Sequence, residues 1–140
     1  MSIYTTQEDA VYRQFPYTKE HRSEILYIKQ FGDITGLIID YGTHPCSYII
    51  FPAKRYAIYS SMVNSDTSPV HGGITLHGKE LSLGDGRRIN GYIIGWDYCH
   101  SGDYNVWTES GHKYTILQLI SDLVDTVLYI HQQEEYYDAG

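Results

Sequence analysis

The stretch Tyr114–Gln132 constrains this chain more than any other. Ile116, Leu117, Leu119, Ile120, Leu123, Val124, Val127, Leu128 and Ile130 recur at three- and four-residue spacing. That period builds a helix with a wide apolar face. Such a face must be covered by a sheet, another helix or a second copy of the chain. The residues ahead of it decide which.

They read mainly as short strands. Leu37–Tyr41 (LIIDY) and Cys46–Phe51 (CSYIIF) are β-rich runs separated by the turn-forming Gly42-Thr43-His44-Pro45. Their spacing predicts a hairpin or meander. Ala57–Met62 fits either a third strand or a helical turn. Ile74–His77 and Glu80–Leu83 precede Gly84-Asp85-Gly86, and Arg88–Trp96 follows it. Asp-Gly between β-rich runs is a strong hairpin signal. Residues 98–112 carry Gly102, Asn105 and Gly111 and read as a long loop. Thr18–Gln30 reads as a shorter N-terminal helix capped by Thr18, with a strand over Ile25–Ile28 as the competing reading. Strands followed by one long helix predict an α+β fold, an antiparallel sheet covered by helix on one face. At 140 residues one domain is expected, with 1–18 and 134–140 as peripheral tails.

Charge narrows the partners. Ten basic and 17 acidic side chains give a formal net charge of −7. That opposes binding to long nucleic acid through a general basic field, but not a small anion in a local pocket. The N-terminus, MSIYTTQEDAVYRQ, lacks the basic start and apolar run of a signal peptide, and no apolar stretch is long enough to span a bilayer. Cys46 and Cys99 form no CxxC pair, which fits reduced thiols in a cytoplasmic protein. No cofactor is implied.

Chemistry-bearing residues concentrate in two segments, Val70-His71-Gly72-Gly73-Ile74-Thr75 and Gly95-Trp96-Asp97-Tyr98-Cys99-His100-Ser101-Gly102-Asp103. Four readings follow. His71, Asp97, His100 and Asp103 would supply imidazole and carboxylate ligands to a divalent ion, although their spacing matches no zinc signature. The same four would perform acid–base hydrolysis, although no Ser or Cys sits in a nucleophile elbow. In a ligand clamp, His71, the Gly72 and Gly73 amides, Arg87 and Arg88 would hold phosphate or ribose, with Asp97 and His100 beside them. Trp96, Tyr98 and Trp107 would stack on a base. In the fourth reading the glycines serve turns, Asp97 caps one, and the histidines are ordinary hydrogen-bonded side chains. Lys54, Arg55, Lys79, Arg87 and Arg88 make up half of the ten basic residues; if their two loops meet, they form a local cationic patch.

THPCSYIIFP, VHGGITL, IIGWDYCHSGD and the closing helix together resemble a widespread family of small bacteriophage proteins, most without an assigned function. Members read like CGYVxVP, VHGGLTY and IGFDCAHxGD, and the resemblance covers roughly Ile25–Gln132. This chain departs at Trp96 (Phe in the family), at Tyr98-Cys99 (Cys-Ala), and after Pro52, where Ala53-Lys54-Arg55-Tyr56 replaces a GHPLYG-like segment. The resemblance implies a phage or prophage origin and expression in the host bacterial cytosol. It further suggests counter-defence by sequestering a nucleotide-derived immune signal, either a cyclic ADP-ribose derivative or a cyclic dinucleotide. A phosphoester hydrolase acting on such a signal, and a protein-interaction module without a small ligand, are the alternatives. A homo-oligomer joined through the C-terminal helix is expected.

Overall fold

Five strands, the three central ones apolar on both faces, assemble into one antiparallel sheet, with two helices over one face. The computed structural model describes residues 24–40, 44–64, 70–83, 86–98, 102–103 and 110–138. Strands β1 (Glu24–Phe31), β2 (Ile34–Asp40), β3 (Pro45–Phe51), β4 (Leu76–Ser82) and β5 (Arg88–Asp97) take the spatial order β1-β2-β3-β5-β4. A short 3-10 turn (Ala53–Arg55) leads from β3 into helix α1 (Tyr56–Val63), and α2 (Ile116–Asp138) closes the chain. The expected architecture is therefore the observed one: an antiparallel sheet, a long C-terminal helix and a shorter helix ahead of it.

One element differs. Glu24–Gln30, placed at the end of a helix over Thr18–Gln30, is strand; residues 18–23 lie outside the described residues. Pairing decides this. Phe31 and Ile34 face each other across a two-residue Gly32-Asp33 loop, and Gly32 takes φ +65°, as tight hairpin turns require. The ladder from Glu24 to Phe31 outweighs the weak local helix preference. The competing strand reading of Ile25–Ile28 was the correct one. Ala57–Met62 takes the helical of its two readings, inside α1.

The two faces of the sheet sort by parity. Ile34, Ile38, Ile49, Phe51, Ile94 and Trp96 pack against Ile58, Tyr59 and Met62 of α1 and Ile116, Leu119, Leu123, Val127 and Ile130 of α2. Each fully buried aliphatic side chain contributes roughly 1.5–3 kcal/mol. Leu37, Ile39, Cys46, Tyr48 and Ile93 point the other way and cluster with Leu81 and Leu83. Helix α2 begins at a reciprocal cap. The Thr115 amide donates to Gln118 Oε1 at 2.9 Å, and the Gln118 amide donates to Thr115 Oγ1 at 3.2 Å. Among the described residues no helix is long and apolar enough to cross a membrane.

Candidate functional site

Sheet register fixes where each chemical group lies. The Thr75 amide donates to the Gly95 carbonyl at 2.9 Å, and Thr75 Oγ1 donates to Asp97 Oδ2 at 3.2 Å. These bonds stitch the segment after His71 to the end of β5. The two Gly- and His-rich turns therefore lie side by side at one end of the sheet. There His71 Nε2 sits 2.9 and 2.8 Å from the two carboxylate oxygens of Asp103. A carboxylate accepts, so Nε2 is the nitrogen that carries the hydrogen. The Asp103 side chain is 3% exposed and that of His71 26%. The imidazole stacks on Tyr98 at 4.6 Å and meets Tyr114 edge-on at 5.2 Å. Burial, reinforced by the charge and hydrogen bonding of Asp103, pushes the Tyr114 phenol up.

Behind the imidazole the network runs into the core. Trp96 Nε1 donates to the Tyr98 hydroxyl at 3.1 Å, and that hydroxyl donates to Asp122 Oδ2 on α2 at 2.8 Å. Burial above all pushes the Tyr98 phenol far up, and Asp122 adds to it. This constellation orients one imidazole with a buried carboxylate, the arrangement used by a general base. Asp97 is turned toward Thr75, and among the described residues no three His, Cys, Asp or Glu side chains are grouped to hold a metal ion.

Several expected ligand contacts are corrected by these positions. Trp96 is 1% and Tyr98 0% exposed, so both are core side chains rather than stacking platforms for a ligand. Arg87 and Arg88 stand at the opposite end of β5, roughly 20 Å from the His71 turn at about 3.3 Å per residue. Arg88 is paired there with Glu80 at 2.9 Å. Gly72 and Gly73 take φ +68° and +86°, and the Gly73 amide donates to the Val70 carbonyl at 3.1 Å. Gly72 thus occupies the turn position that calls for positive φ, and the Gly73 amide is engaged in the turn. His100 and Trp107 lie outside the described residues, as do Cys99, Gly84 and Asp85.

A cavity opens at the other end of the sheet. Strand β3 stops at Phe51, whereas β5 continues to Arg88 alongside β4. Strand β2 begins at Ile34, level with the end of β3, and a notch of about 430 Å³ is lined by Asp33 and Thr35 on one side, by the chain from Ile50 to Ala53, and by Lys79 and Asn90–Tyr92 of β4 and β5. Ile50, Phe51, Pro52, Ala53, Gly91 and Tyr92 supply apolar and backbone surface. Asp33, Thr35, Lys79 and Asn90 supply polar groups. Gly91 has φ +145°, and a Cβ there would stand 2.7 Å from Ile50 Cγ2. Only glycine lets the strand approach β3 this closely.

Of the two basic segments, Lys79 lines this notch, and Lys54 and Arg55 pair with Asp33, which also lines it. Lys79 Nζ lies 5.7 Å from the Tyr92 ring centroid, within cation–π range. On the opposite wall Asp33 Oδ2 accepts from Arg55 Nε at 2.8 Å and pairs with Lys54 Nζ at 3.3 Å. Burial opposes ionisation of Asp33, but the hydrogen bonds and charges of Arg55 and Lys54 outweigh it and hold the carboxyl below its usual range. Tyr92 packs against Tyr59 and Tyr56 at 5.0 and 5.1 Å, which fixes its ring. Lys79, Lys54 and Arg55 were legible as candidates in the sequence; Asp33, Thr35, Asn90 and Tyr92 were not. The signal that pointed to them is a glycine inside a strand, Asn90-Gly91-Tyr92.

Comparison with known proteins finds no match for this chain among family models, curated proteins or solved structures.

Proposed function

We propose that this protein binds and sequesters a small nucleotide-derived ligand, as a phage counter-defence protein acting in the host bacterial cytosol. The observation that carries the reading is the notch of about 430 Å³ between β2 and β5. Its volume falls in the range of small-molecule sites, and its lining is largely apolar with a few convergent polar groups. Tyr92 offers ring surface, Asn90 and Thr35 offer hydrogen bonds, and Lys79 offers a cation. The phage-family resemblance supports the biological setting. Calorimetry against cyclic nucleotides, cyclic dinucleotides and ADP-ribose derivatives tests the reading. Saturable binding, with the ligand recovered intact after heat denaturation, supports it; no heat with any member of the panel overturns it.

A second copy of the chain is the proposed partner. Leu117 and Leu128 on α2 are 51% and 55% exposed, with half-buried Ile120 and Val124 between them. Contiguous apolar surface of this kind suits a helix-mediated homo-oligomer. Sedimentation of the wild type and of Leu117→Glu/Leu128→Glu tests it; a wild-type monomer overturns it.

One observation favours a hydrolase as the second reading: the 2.8 Å contact between His71 and the buried Asp103. In that case the candidate ligand would come back altered, and His71→Ala would abolish the change.

A further inference from the structure

Helix α2 carries two apolar surfaces rather than one. Ile116, Leu119, Leu123, Val127 and Ile130 are buried in the core. Leu117, Ser121, Val124, Leu128 and His131 follow one another along a different flank, at alternating steps of four and three residues. That alternation is the spacing of a seam between two packed helices. Leu117 and Leu128 stand near its two ends, 51% and 55% exposed, and Val124 between them is half-buried. The remaining exposed positions of the helix, Gln118, Asp125 and Gln132, are polar. The charges of α2 are also placed against its own dipole. Its first turn holds no acidic residue and its last turn no basic one, while Glu134, Glu135 and Asp138 lie on its closing turns. Negative charge there meets the negative end of the helix dipole, an arrangement that a lone helix disfavours.

We infer that a second copy of this chain covers the seam by antiparallel pairing of the two α2 helices, Leu117 of each copy meeting Leu128 of the other. This rests on the homo-oligomer reading above and specifies its interface. A two-fold axis brings one patch against itself. In the antiparallel arrangement the two leucine layers form on either side of a central layer in which Ser121 meets Val124. In a parallel arrangement every residue would meet its own copy. Charge decides between them. Parallel packing sets the acidic closing turns side by side and aligns the two helix dipoles, and both effects are repulsive. Antiparallel packing sets each acidic turn beside the N-terminus of the other α2, the positive end of its dipole, which the chain enters through Lys113. The second copy thus supplies the complement that α2 lacks within its own chain.

The test is disulfide trapping in the full chain carrying Cys99→Ser, which leaves Cys46, a buried thiol. Leu117→Cys and Leu128→Cys are made singly in this background and oxidised alone and as a mixture. Both leucines are more than half exposed, so the fold tolerates their replacement. The mixture is expected to give a covalent dimer and neither single variant alone. In the antiparallel pair the two copies of one position stand about 16 Å apart along the axis, beyond disulfide reach. A covalent dimer from either variant alone means parallel pairing; it overturns the inference and leaves the homo-oligomer reading standing. No covalent dimer in any sample, from a wild type that sediments as an oligomer, overturns it in the same way. A wild type that sediments as a monomer defeats both. Charge exchange gives a second measurement. Leu117→Glu weakens association at least tenfold, and Leu128→Lys added to the same chain restores it to within about threefold, because each new carboxylate then meets an ammonium of the other copy. A further loss in place of recovery overturns the inference.

Discussion

The ammonium of Lys79 sits 5.7 Å from the ring centroid of Tyr92, and both side chains line the notch left where β3 ends. Lys79 is exposed, so its contribution to folding is small, within about 0.5 kcal/mol. Its contribution to ligand capture is expected to be larger. Lys79→Met should leave the melting temperature nearly unchanged while weakening an anionic ligand about tenfold. Thermal denaturation and calorimetry on the same sample check both halves of the statement.

His71 and Asp103 behave differently, because the carboxylate is almost wholly buried. Removing the imidazole takes one hydrogen-bond donor away from the buried Asp103 carboxylate. His71→Ala is expected to cost about 1–3 kcal/mol of stability, the range for a lost hydrogen bond to a charged group. Chemical denaturation gives the number. If ligand affinity is unchanged in the folded variant, the binding site is at the other end of the sheet, as proposed.

Alkaline pH tests the tyrosine network. Burial pushes Tyr98 above its ordinary range, and burial together with Asp103 does the same for Tyr114. Their folded values lie above the unfolded one, so the unfolded chain releases these protons first. The stability they contribute is complete below about pH 10 and is lost as pH rises further. Absorbance titration of the folded protein should show tyrosines that ionise only when the protein unfolds. Tyr98→Phe should lower stability at neutral pH, by leaving the buried Trp96 N–H without its acceptor, and flatten the fall above pH 10.

Gly95 tests the close approach of strands at the centre of the sheet. A Cβ at this position would stand 2.5 Å from the Tyr48 ring and 3.3 Å from the Ser47 carbonyl. A ring and a backbone carbonyl give way poorly. Gly95→Ala is expected to destabilise by about 1–3 kcal/mol, measured by denaturant titration.

The fold was legible where the period was strong. Ile116 to Ile130 announced α2, and LIIDY, CSYIIF and RINGYIIGW announced the central strands. The start of α2 was not legible: the apolar spacing suggests Tyr114, whereas the Thr115–Gln118 capping box sets it at Ile116. Residues 24–30 were assigned to helix because their local pattern is weak; their conformation is set by pairing with β2 across Gly32-Asp33. The candidate site divided in the same way. The two turns were legible as the chemistry-bearing segments, but that they meet is shown only by the sheet pairing of Thr75 with Gly95 and the contact of His71 with Asp103. Their separation from Arg87 and Arg88 was not legible either, because the direction of a hairpin, rather than its composition, carries its tip to the far end of the sheet. Trp96 and Tyr98 were taken for stacking platforms since an aromatic near a loop looks the same in sequence whether it faces solvent or core. The notch is not encoded in any single segment, because it lies where β4 and β5 run on past the end of β3 and face Asp33 and Thr35.

The most direct measurement is a calorimetric titration of cyclic di-AMP into the wild type and Lys79→Met under identical conditions, with the ligand recovered afterwards. Saturable binding to the wild type, at least tenfold weaker in the variant, with intact ligand released on heating, is the predicted result. Binding unaffected by Lys79→Met, or recovery of a cleaved product, would contradict sequestration in the notch between Asp33 and Lys79.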